Sequence, residues 1–198
     1  MKQFTILVDM DDTIENFCEE WISTLNMKYK LDIKYSDITD WNISKFYPSL
    51  SKSELYEPLS TERFWRRVVP FRDAQHYLPK LIEDGHKIYI VTASHHETVA
   101  YKLNHVLFKY FPYFTYKDVI ICSVKQMIRG DFLIDDGAHN LTGGEYKGIL
   151  MDRFHNRSFD NEVYRIPRVK NWGQIYSLIK EYAEEYLYGH YFIQHRLS

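Results

Sequence analysis

Cysteine is scarce in this sequence, which contains only Cys18 and Cys122 among its 198 residues. The two form no CxxC pair, so no disulfide framework is expected and both should be reduced thiols of a cytoplasmic protein. Long apolar runs are also absent, and no stretch approaches the roughly 20 residues of a membrane span. A net charge of -2 and the lack of a Lys/Arg-rich run argue against binding a nucleic-acid polymer.

What is present is an alternation of short apolar runs with helical periodicity. Residues 4–8 form an apolar, β-branched run that Asp9 stops, which predicts a buried strand and not a signal peptide. Further strands are predicted at 87–91, 118–122, 132–134 and 149–151. Helices are predicted at 14–30, 73–84, 95–110 and 171–186, with Gly85 as a left-handed cap. This alternation predicts an α/β fold, a Rossmann-like parallel sheet flanked by helices.

Two segments depart from this rhythm. Residues 16–72 are rich in aromatic residues, Ser and Pro, and the pair Ser51 and Glu54 has the spacing of a capping box. They predict a mostly helical insertion, with short helices around 51–59 and 61–68, between core segments 1–15 and 73–198. The last residues, 188–198, are aromatic and basic, which leaves open a packed tail or an oligomer contact such as a homodimer.

Carboxylates follow two of the predicted strands. Asp9 and Asp11 come directly after the first strand, and Asp135 and Asp136 end the run 132–134. Because ligands of parallel sheets bind at the carboxyl ends of strands, the four acids are expected to converge. Close carboxylates repel one another, and a hard divalent cation with oxygen ligands relieves that repulsion. The alternatives, a helix-capping loop and a surface Asp-Asp turn, explain each pair singly but not their coincidence.

Two further features suit a phosphate group. Thr92, Ala93 and Ser94 follow a predicted strand just before a helix, where backbone N–H groups and hydroxyls can hold phosphate oxygens. Lys125 follows another strand and can neutralise a phosphate. Taken alone, the hydroxyl residues would be interpreted as an ordinary helix N-cap. Taken alone, Lys125 would be interpreted as a solvated surface lysine.

In this order, DMDDT, VTAS, the Lys125 segment and FLIDD resemble the four motifs of the haloacid dehalogenase superfamily of aspartate-nucleophile phosphatases. The sequence more narrowly resembles the 5′(3′)-deoxyribonucleotidase family. That resemblance is carried by DMDDTIENF, the insertion after it, FW at 64–65, Lys125 ten residues before the first Asp of LIDD, GILMDRFHNR and RVKNW. It implies that residues 16–72 form a small helical cap inserted after the first strand.

The resemblance also implies a mechanism. Asp9 would attack phosphorus to form an aspartyl-phosphate, and Asp11 would act as general acid and then base. The implied cofactor is Mg²⁺, held by Asp9, the Asp11 backbone carbonyl, Asp135 and Asp136. The implied phosphate contacts are Thr92, Ala93, Ser94 and Lys125. Many superfamily members have Gly in place of Asp12. The Asp12 carboxylate would add negative charge beside the phosphate site unless the side chain points away or caps the following helix.

The expected substrate is a small phosphomonoester, a nucleoside monophosphate in the leading hypothesis. Candidates for recognising the base are Phe17, Trp41, Phe46, Phe64 and Trp65, although aromatic residues of a small insertion mostly form its own core. His95 and His96 follow the phosphate loop and are either substrate contacts or solvated residues. Two other functions stay open: a phosphatase for another metabolite, such as a sugar phosphate, and a catalytically silent nucleotide-binding protein.

Overall fold

Six strands and seven α-helices make up the part of the chain that this computed structural model describes, residues 2–194, with side chains described through residue 186. The strands are β1 Thr5–Val8, β2 Lys87–Thr92, β3 Val119–Ile121, β4 Arg129–Asp135, β5 Glu145–Met151 and β6 Arg168–Val169. The helices are α1 Phe17–Tyr29, α2 Lys52–Tyr56, α3 Glu62–Trp65, α4 Arg72–Glu83, α5 Val99–Lys102, α6 Phe108–Tyr110 and α7 Trp172–Gln194. Short 3-10 turns connect several of them.

The strands form one parallel sheet in the order β3-β2-β1-β4-β5-β6. The chain builds outward from β1 on one side and then crosses to β4 on the other side. The predicted α/β class is therefore confirmed. Because β1 lies between β2 and β4, the carboxyl ends of these three strands open into one crevice, where parallel sheets bind ligands.

Alternate residues of β1 contribute to two separate hydrophobic clusters. Ile6 and Val8 belong to the larger cluster, which also includes residues of α1, α4 and α7. Leu7 points to the opposite face and packs with Leu133 and Leu150 of neighbouring strands. This period of two is what an extended strand imposes when both of its faces are buried. It fixes the register of β1, and so the point at which Asp9 leaves the sheet.

Helix α1, helices α2 and α3 and short 3-10 turns occupy residues 16–72. The predicted capping box is confirmed, since Ser51 Oγ accepts from the Glu54 N–H at 3.3 Å and Glu54 Oε2 accepts from the Ser51 N–H at 2.9 Å. Trp21 and Trp65 donate their indole N–H groups to the carbonyls of Leu55 and Leu59. These bonds join helices that are each too short to be stable alone.

Several boundaries differ from the sequence-based predictions. The helix expected from residue 95 begins at Val99, because residues 95–98 form a turn in which the Val99 N–H already bonds to the His95 carbonyl. The helix then passes through a π-helical segment, Leu103–Leu107. Strand β6 was not predicted, since two residues give no periodicity. Gly85 has the predicted left-handed backbone, with φ +90°.

The tail at 188–198 lies outside the residues with described side chains. Within the described chain, no helix has the length and hydropathy of a membrane span.

Candidate active site

Asp9 and Asp135 leave the sheet side by side. Val8 of β1 pairs with Ile134 of β4, so the next residue of each strand reaches the same edge. The Asp9 N–H donates to the Ile134 carbonyl at 2.9 Å, which extends the pairing by one residue and fixes the Asp9 backbone. Both carboxylates are buried, and Asp136, which follows Asp135, is buried with them. The convergence expected from the sequence is therefore observed for these three acids.

Lys125 is the cation of this cluster. It lies in a 3-10 turn after β3, is 2% exposed, and its Nζ donates to Asp9 Oδ1 and, at 2.6 Å, to Asp135 Oδ2. Burial acts to lower the pKa of Lys125, but the attraction of Asp9 and Asp135 outweighs it and the pKa is raised. Lys125 is therefore a fixed positive charge at this edge of the sheet.

One lysine does not neutralise the acids around it. Burial raises the pKa of Asp9 well above its usual value although Lys125 lowers it, and burial likewise raises the pKa of Asp135. One carboxylate oxygen from each of Asp9, Asp135 and Asp136 lies within 4.8 Å of the others. Three buried oxygen ligands with excess negative charge fit a hard divalent cation such as Mg²⁺.

The bonds around Asp135 and Asp136 hold both carboxylates in place. Asp135 accepts from the Gly137 N–H at 2.7 Å and from Asn140 Nδ2 at 3.1 Å. Asp136 Oδ2 lies 2.7 Å from Nε2 of His155. Burial lowers the pKa of His155, but Asp136 outweighs burial and the pKa is raised. Such outer contacts orient carboxylates toward a metal.

Asp11 belongs to a second, adjacent cluster. Its carboxylate is partly exposed, and Oδ2 lies 2.7 Å from Nζ of Lys102, which is 1% exposed. The same ammonium donates to Thr92 Oγ1 at 2.7 Å. Asp11 and the first residue of the expected phosphate loop are therefore held by one buried cation. Because Thr92 Oγ1 accepts from Lys102, its own hydroxyl proton is free to donate to a phosphoryl oxygen.

Glu15 is a buried acid beside Asp11. Its side chain is fully buried, and neither carboxylate oxygen has a hydrogen-bond partner with acceptable geometry among the described residues. Burial and the nearby Asp11 raise the pKa of Glu15 well above its usual value, while Lys102 lowers it. Burial and Asp11 therefore both disfavour the charged form of Glu15.

Asp12 caps the first helix, which was one of the two outcomes expected for this departure from the superfamily pattern. Its Oδ1 accepts from the Cys18 N–H at 3.0 Å, in the first turn of α1. A positive φ of 50° at Asp12 turns the chain so that this bond forms. The backbone carbonyl of Asp12 accepts from Arg153 Nε at 2.6 Å. The capping bond consequently fixes where α1 starts relative to the acids.

In metal-free protein, Asp12→Asn should weaken the pH dependence of stability. Burial and Asp136 raise the pKa of Asp12 from 3.8 to about 7. The stability associated with its protonated form is present below pH ~4 and is lost as the pH rises through about 7. From pH 5 to 8, urea unfolding in EDTA should show wild type losing on the order of a few kcal/mol more than Asp12→Asn. Exposed Asp32→Asn is the control, and equal losses in wild type and Asp12→Asn would contradict this.

Two cavities open beside the acids, and Phe17 lines both of them. One, of about 270 Å³, is lined by Asp11, Phe17, Trp65 and the loop residues Ala93 and Ser94. The other, of about 220 Å³, is lined by residues that include Asp12, Phe17, Trp41 and His155. Phe17 stacks on Trp65 with ring centroids 5.7 Å apart. The exposed Trp41 packs edge-on against His155. Three of the five candidate aromatic residues therefore line these cavities.

Phe64 and Phe46 lie elsewhere in the insertion. Phe64 is 2% exposed, packs edge-on against Phe17 and Trp65, and lines a cavity on another surface with residues that include Thr24. Phe46 is half-buried against the larger hydrophobic cluster. His95 and His96 are exposed, and only His95 is among the residues lining the 270 Å³ cavity. Ser94 Oγ lies 3.5 Å from Thr92 Oγ1.

Sequence reasoning missed Lys102, Glu15 and His155. Lys102 lies ten residues after Thr92 on a helix, and Glu15 lies four residues after Asp11, so neither has a motif spacing of its own. His155 was contained in a segment used for the family resemblance but was assigned no role. A lysine or glutamate inside an otherwise apolar stretch was the available signal, because such residues are rarely buried without a partner.

A family model described as 5′ nucleotidase, deoxy (Pyrimidine), cytosolic type C protein matches residues 3–184. The chain belongs to this family. The 5′(3′)-deoxyribonucleotidase of Bacillus subtilis is 31% identical over 172 residues, covering 86% of this chain and 95% of that protein. The 5′(3′)-deoxyribonucleotidase of Clostridium acetobutylicum is 32% identical over 180 residues, covering 90% and 96%. The expected enzyme class, hydrolases of phosphoric monoesters, is thereby confirmed.

Solved structures show the same fold at low identity. A haloacid dehalogenase-like protein from Agrobacterium tumefaciens has a TM-score of 0.62 at 14% identity, covering 92% of this chain and 100% of that chain. A HAD family hydrolase from Deinococcus radiodurans, with bound phosphate and sodium, has a TM-score of 0.59 at 12% identity, covering 89% and 95%. These structures support the superfamily fold, whereas the nucleotidase family rests on the sequence comparisons.

Proposed function

We propose that this nucleotidase-family protein removes phosphate from nucleoside monophosphates through an aspartyl-phosphate on Asp9, with Mg²⁺ as cofactor. The observation that carries the proposal is the separation of two carboxylates in one crevice. Asp9 lies with Lys125, Asp135 and Asp136, whereas Asp11 lies with a different lysine, Lys102. A nucleophile and a proton donor need different surroundings, and these two acids have them.

In the first step, an Asp9 carboxylate oxygen attacks phosphorus and the bond from phosphorus to the substrate oxygen breaks. Asp11 donates a proton to that departing oxygen. In the second step, Asp11 takes a proton from a water molecule that attacks the phosphoryl group, and the bond from Asp9 to phosphorus breaks. The partly exposed Asp11 side chain can reach such a water, whereas the buried Asp9 is shielded from bulk solvent.

The phosphoryl oxygens would be held by Thr92, the Ala93 N–H, Ser94 and Lys125. Lys125 presents a permanent positive charge, and the Thr92 hydroxyl is oriented by Lys102. Fixed donors of this kind stabilise the charge that develops in the transition state. Mg²⁺ would be held by Asp9, Asp135, Asp136 and the Asp11 backbone carbonyl, where its charge would screen the nucleophile from the negative phosphate.

The substrate assignment rests on the cavities and on what the relatives are named for. The relatives described above are named for deoxyribonucleotides. Residues 16–72 would act as a cap, with Phe17, Trp65 and Trp41 facing the substrate and with Phe46 and Phe64 supporting them from the cap core. Stacking is worth about 1–3 kcal/mol per base. A phosphate-release screen over deoxy- and ribonucleoside monophosphates and sugar phosphates tests this directly, and turnover of sugar phosphates alone would overturn the nucleotide assignment.

A cytoplasmic location is part of the proposal, because both cysteines are free thiols. The silent-binding alternative predicts no turnover of any phosphomonoester in that screen. We disfavour it because a binding protein has no use for a proton donor such as Asp11 placed beside the phosphate loop.

Chelation with EDTA should inactivate the enzyme, and Mg²⁺ should restore activity. Without a cation, the buried acids around Lys125 repel both one another and the substrate phosphate. Mg²⁺ should also raise the melting temperature, since a ligand at 100 times its Kd adds about 2.7 kcal/mol of stability. Asp136→Asn is the comparison variant and should need a higher Mg²⁺ concentration for half-maximal activity. Full turnover after exhaustive chelation would contradict the metal assignment.

A further inference from the structure

A second group of potential metal ligands lies beside the acids already described. Asp12, Cys18 and His155, here called the thiol cluster, each offer one ligand atom, and these atoms lie within 4.8 Å of one another. All three side chains are buried. They come from the loop after β1, the first turn of α1 and the 3-10 turn Phe154–Asn156. Residues separated by up to 143 positions therefore meet at one point of the crevice.

The chemistry of this group differs from that of Asp9, Asp135 and Asp136. A sulfur, an imidazole nitrogen and a carboxylate oxygen suit Zn²⁺, whereas Mg²⁺ takes oxygen ligands. Zn²⁺ bonds of about 2.0–2.3 Å in a tetrahedron place ligands roughly 3.3–3.8 Å apart. The separations in the cluster, at most 4.8 Å, exceed that spacing by no more than about 1.5 Å. Three protein ligands leave the fourth position open to water.

His155 is the cluster member whose neighbour suits a metal ligand. It is 7% exposed, and its Nε2 lies 2.7 Å from Asp136 Oδ2, which leaves Nδ1 for an ion. A carboxylate beside a histidine is the arrangement that orients an imidazole ligand. The cluster also lines the 220 Å³ cavity, which gives an ion a path from solvent.

We propose that the thiol cluster binds a thiophilic divalent cation of the Zn²⁺ class, at a site separate from the proposed Mg²⁺ ligands. Because Cys18 is in α1 and the other two ligands are in core loops, the bound ion fastens the insertion to the core. It also occupies the floor of the 220 Å³ cavity. If the proposed function holds, occupancy therefore inhibits turnover.

Cobalt titration of the full chain in excess Mg²⁺ tests the site without relying on activity. Co²⁺ bound to a thiolate gives a charge-transfer absorption that oxygen ligands do not give. We expect one equivalent to produce it in wild type, with displacement by Zn²⁺. Cys18→Ser should abolish the band and weaken Zn²⁺ binding at least ~100-fold, since even outer contacts cost 10–100-fold. Cys122→Ser is the matched control, because Cys122 bonds only to the nearby Val124 carbonyl, and it should behave as wild type.

Absence of the band in wild type, or its loss in Cys122→Ser with retention in Cys18→Ser, would overturn the proposal. His155→Gln, which keeps both thiols, provides a second test and should also weaken Zn²⁺ binding; unchanged affinity would count against the site. Circular dichroism verifies that each variant is folded. Zn²⁺ inhibition of phosphate release in wild type but not in Cys18→Ser is the functional readout. If the cobalt band appears but Zn²⁺ does not inhibit phosphate release, the result contradicts the link to the proposed function and not the metal site.

Discussion

Asp9→Asn should lower kcat by at least about 10³-fold and leave the fold intact. The amide has the shape of the carboxylate but cannot attack phosphorus, and loss of a covalent nucleophile is typically of this size or larger. The backbone bond from the Asp9 N–H to the Ile134 carbonyl does not depend on the side chain. Lys125 keeps Asp135 as a partner. Phosphate release under saturating nucleotide and Mg²⁺ measures the effect.

The same variant also tests how the Asp9 side chain affects the stability of the metal-free fold. Burial raises the pKa of Asp9, so burial disfavours its charged form in the metal-free fold. Asp9→Asn should therefore leave the melting temperature in EDTA unchanged or raised. Asp32→Asn, an exposed change of the same chemistry, should alter neither activity nor stability. Activity within tenfold of wild type would rule out Asp9 as the nucleophile.

Lys102→Met should reduce kcat/KM by about 100-fold, the usual cost of removing one fixed donor at a reacting centre. Methionine fills a similar volume but leaves Asp11 without its cation and Thr92 without the donor that orients its hydroxyl. It also leaves Asp11 beside the buried Glu15 with no positive charge between them. The effect should appear in both kcat and KM, because Asp11 and Thr92 serve different steps.

A charge-conserving substitution separates this positioning role from a merely structural one. Lys102→Arg, which keeps the charge, should recover part of the activity. Lys109→Met is the matched control, since Lys109 is exposed on the following helix, α6, and contacts only the Tyr110 hydroxyl. An equal loss of activity in Lys102→Met and Lys102→Arg would contradict the assignment.

The two lysines explain how one crevice can hold so many acids. Lys125 lies with Asp9 and Asp135, and Lys102 lies with Asp11, so each proposed catalytic carboxylate has its own buried cation. Burial disfavours the charged form of Glu15, the further acid beside Asp11. A divalent cation would complete the neutralisation of the first cluster only. In the proposed mechanism the Asp9 carboxylate would therefore bind the cation, whereas the Asp11 side chain would not.

The sequence by itself determined the strands and the acids that end them. Residues 4–8 and 132–134 predict buried strands because both faces of each are apolar. The acids that follow these apolar runs are therefore candidate site residues. The capping box at Ser51 and the left-handed Gly85 are equally local, since each depends on a few neighbouring residues. Parallel pairing then brings Asp9 and Asp135 together without further information.

Only the tertiary structure decided which distant side chains complete the crevice. Lys102 of α5 contacts Asp11 after β1 and Thr92 at the end of β2, and His155 contacts Asp136 from a 3-10 turn after β5. Such contacts depend on how helices and loops cross the sheet, which residue spacing along the chain does not predict. The same reason explains why Trp65 lines the cavity beside Asp11, while Phe64, adjacent to it in sequence, lines a cavity on another surface.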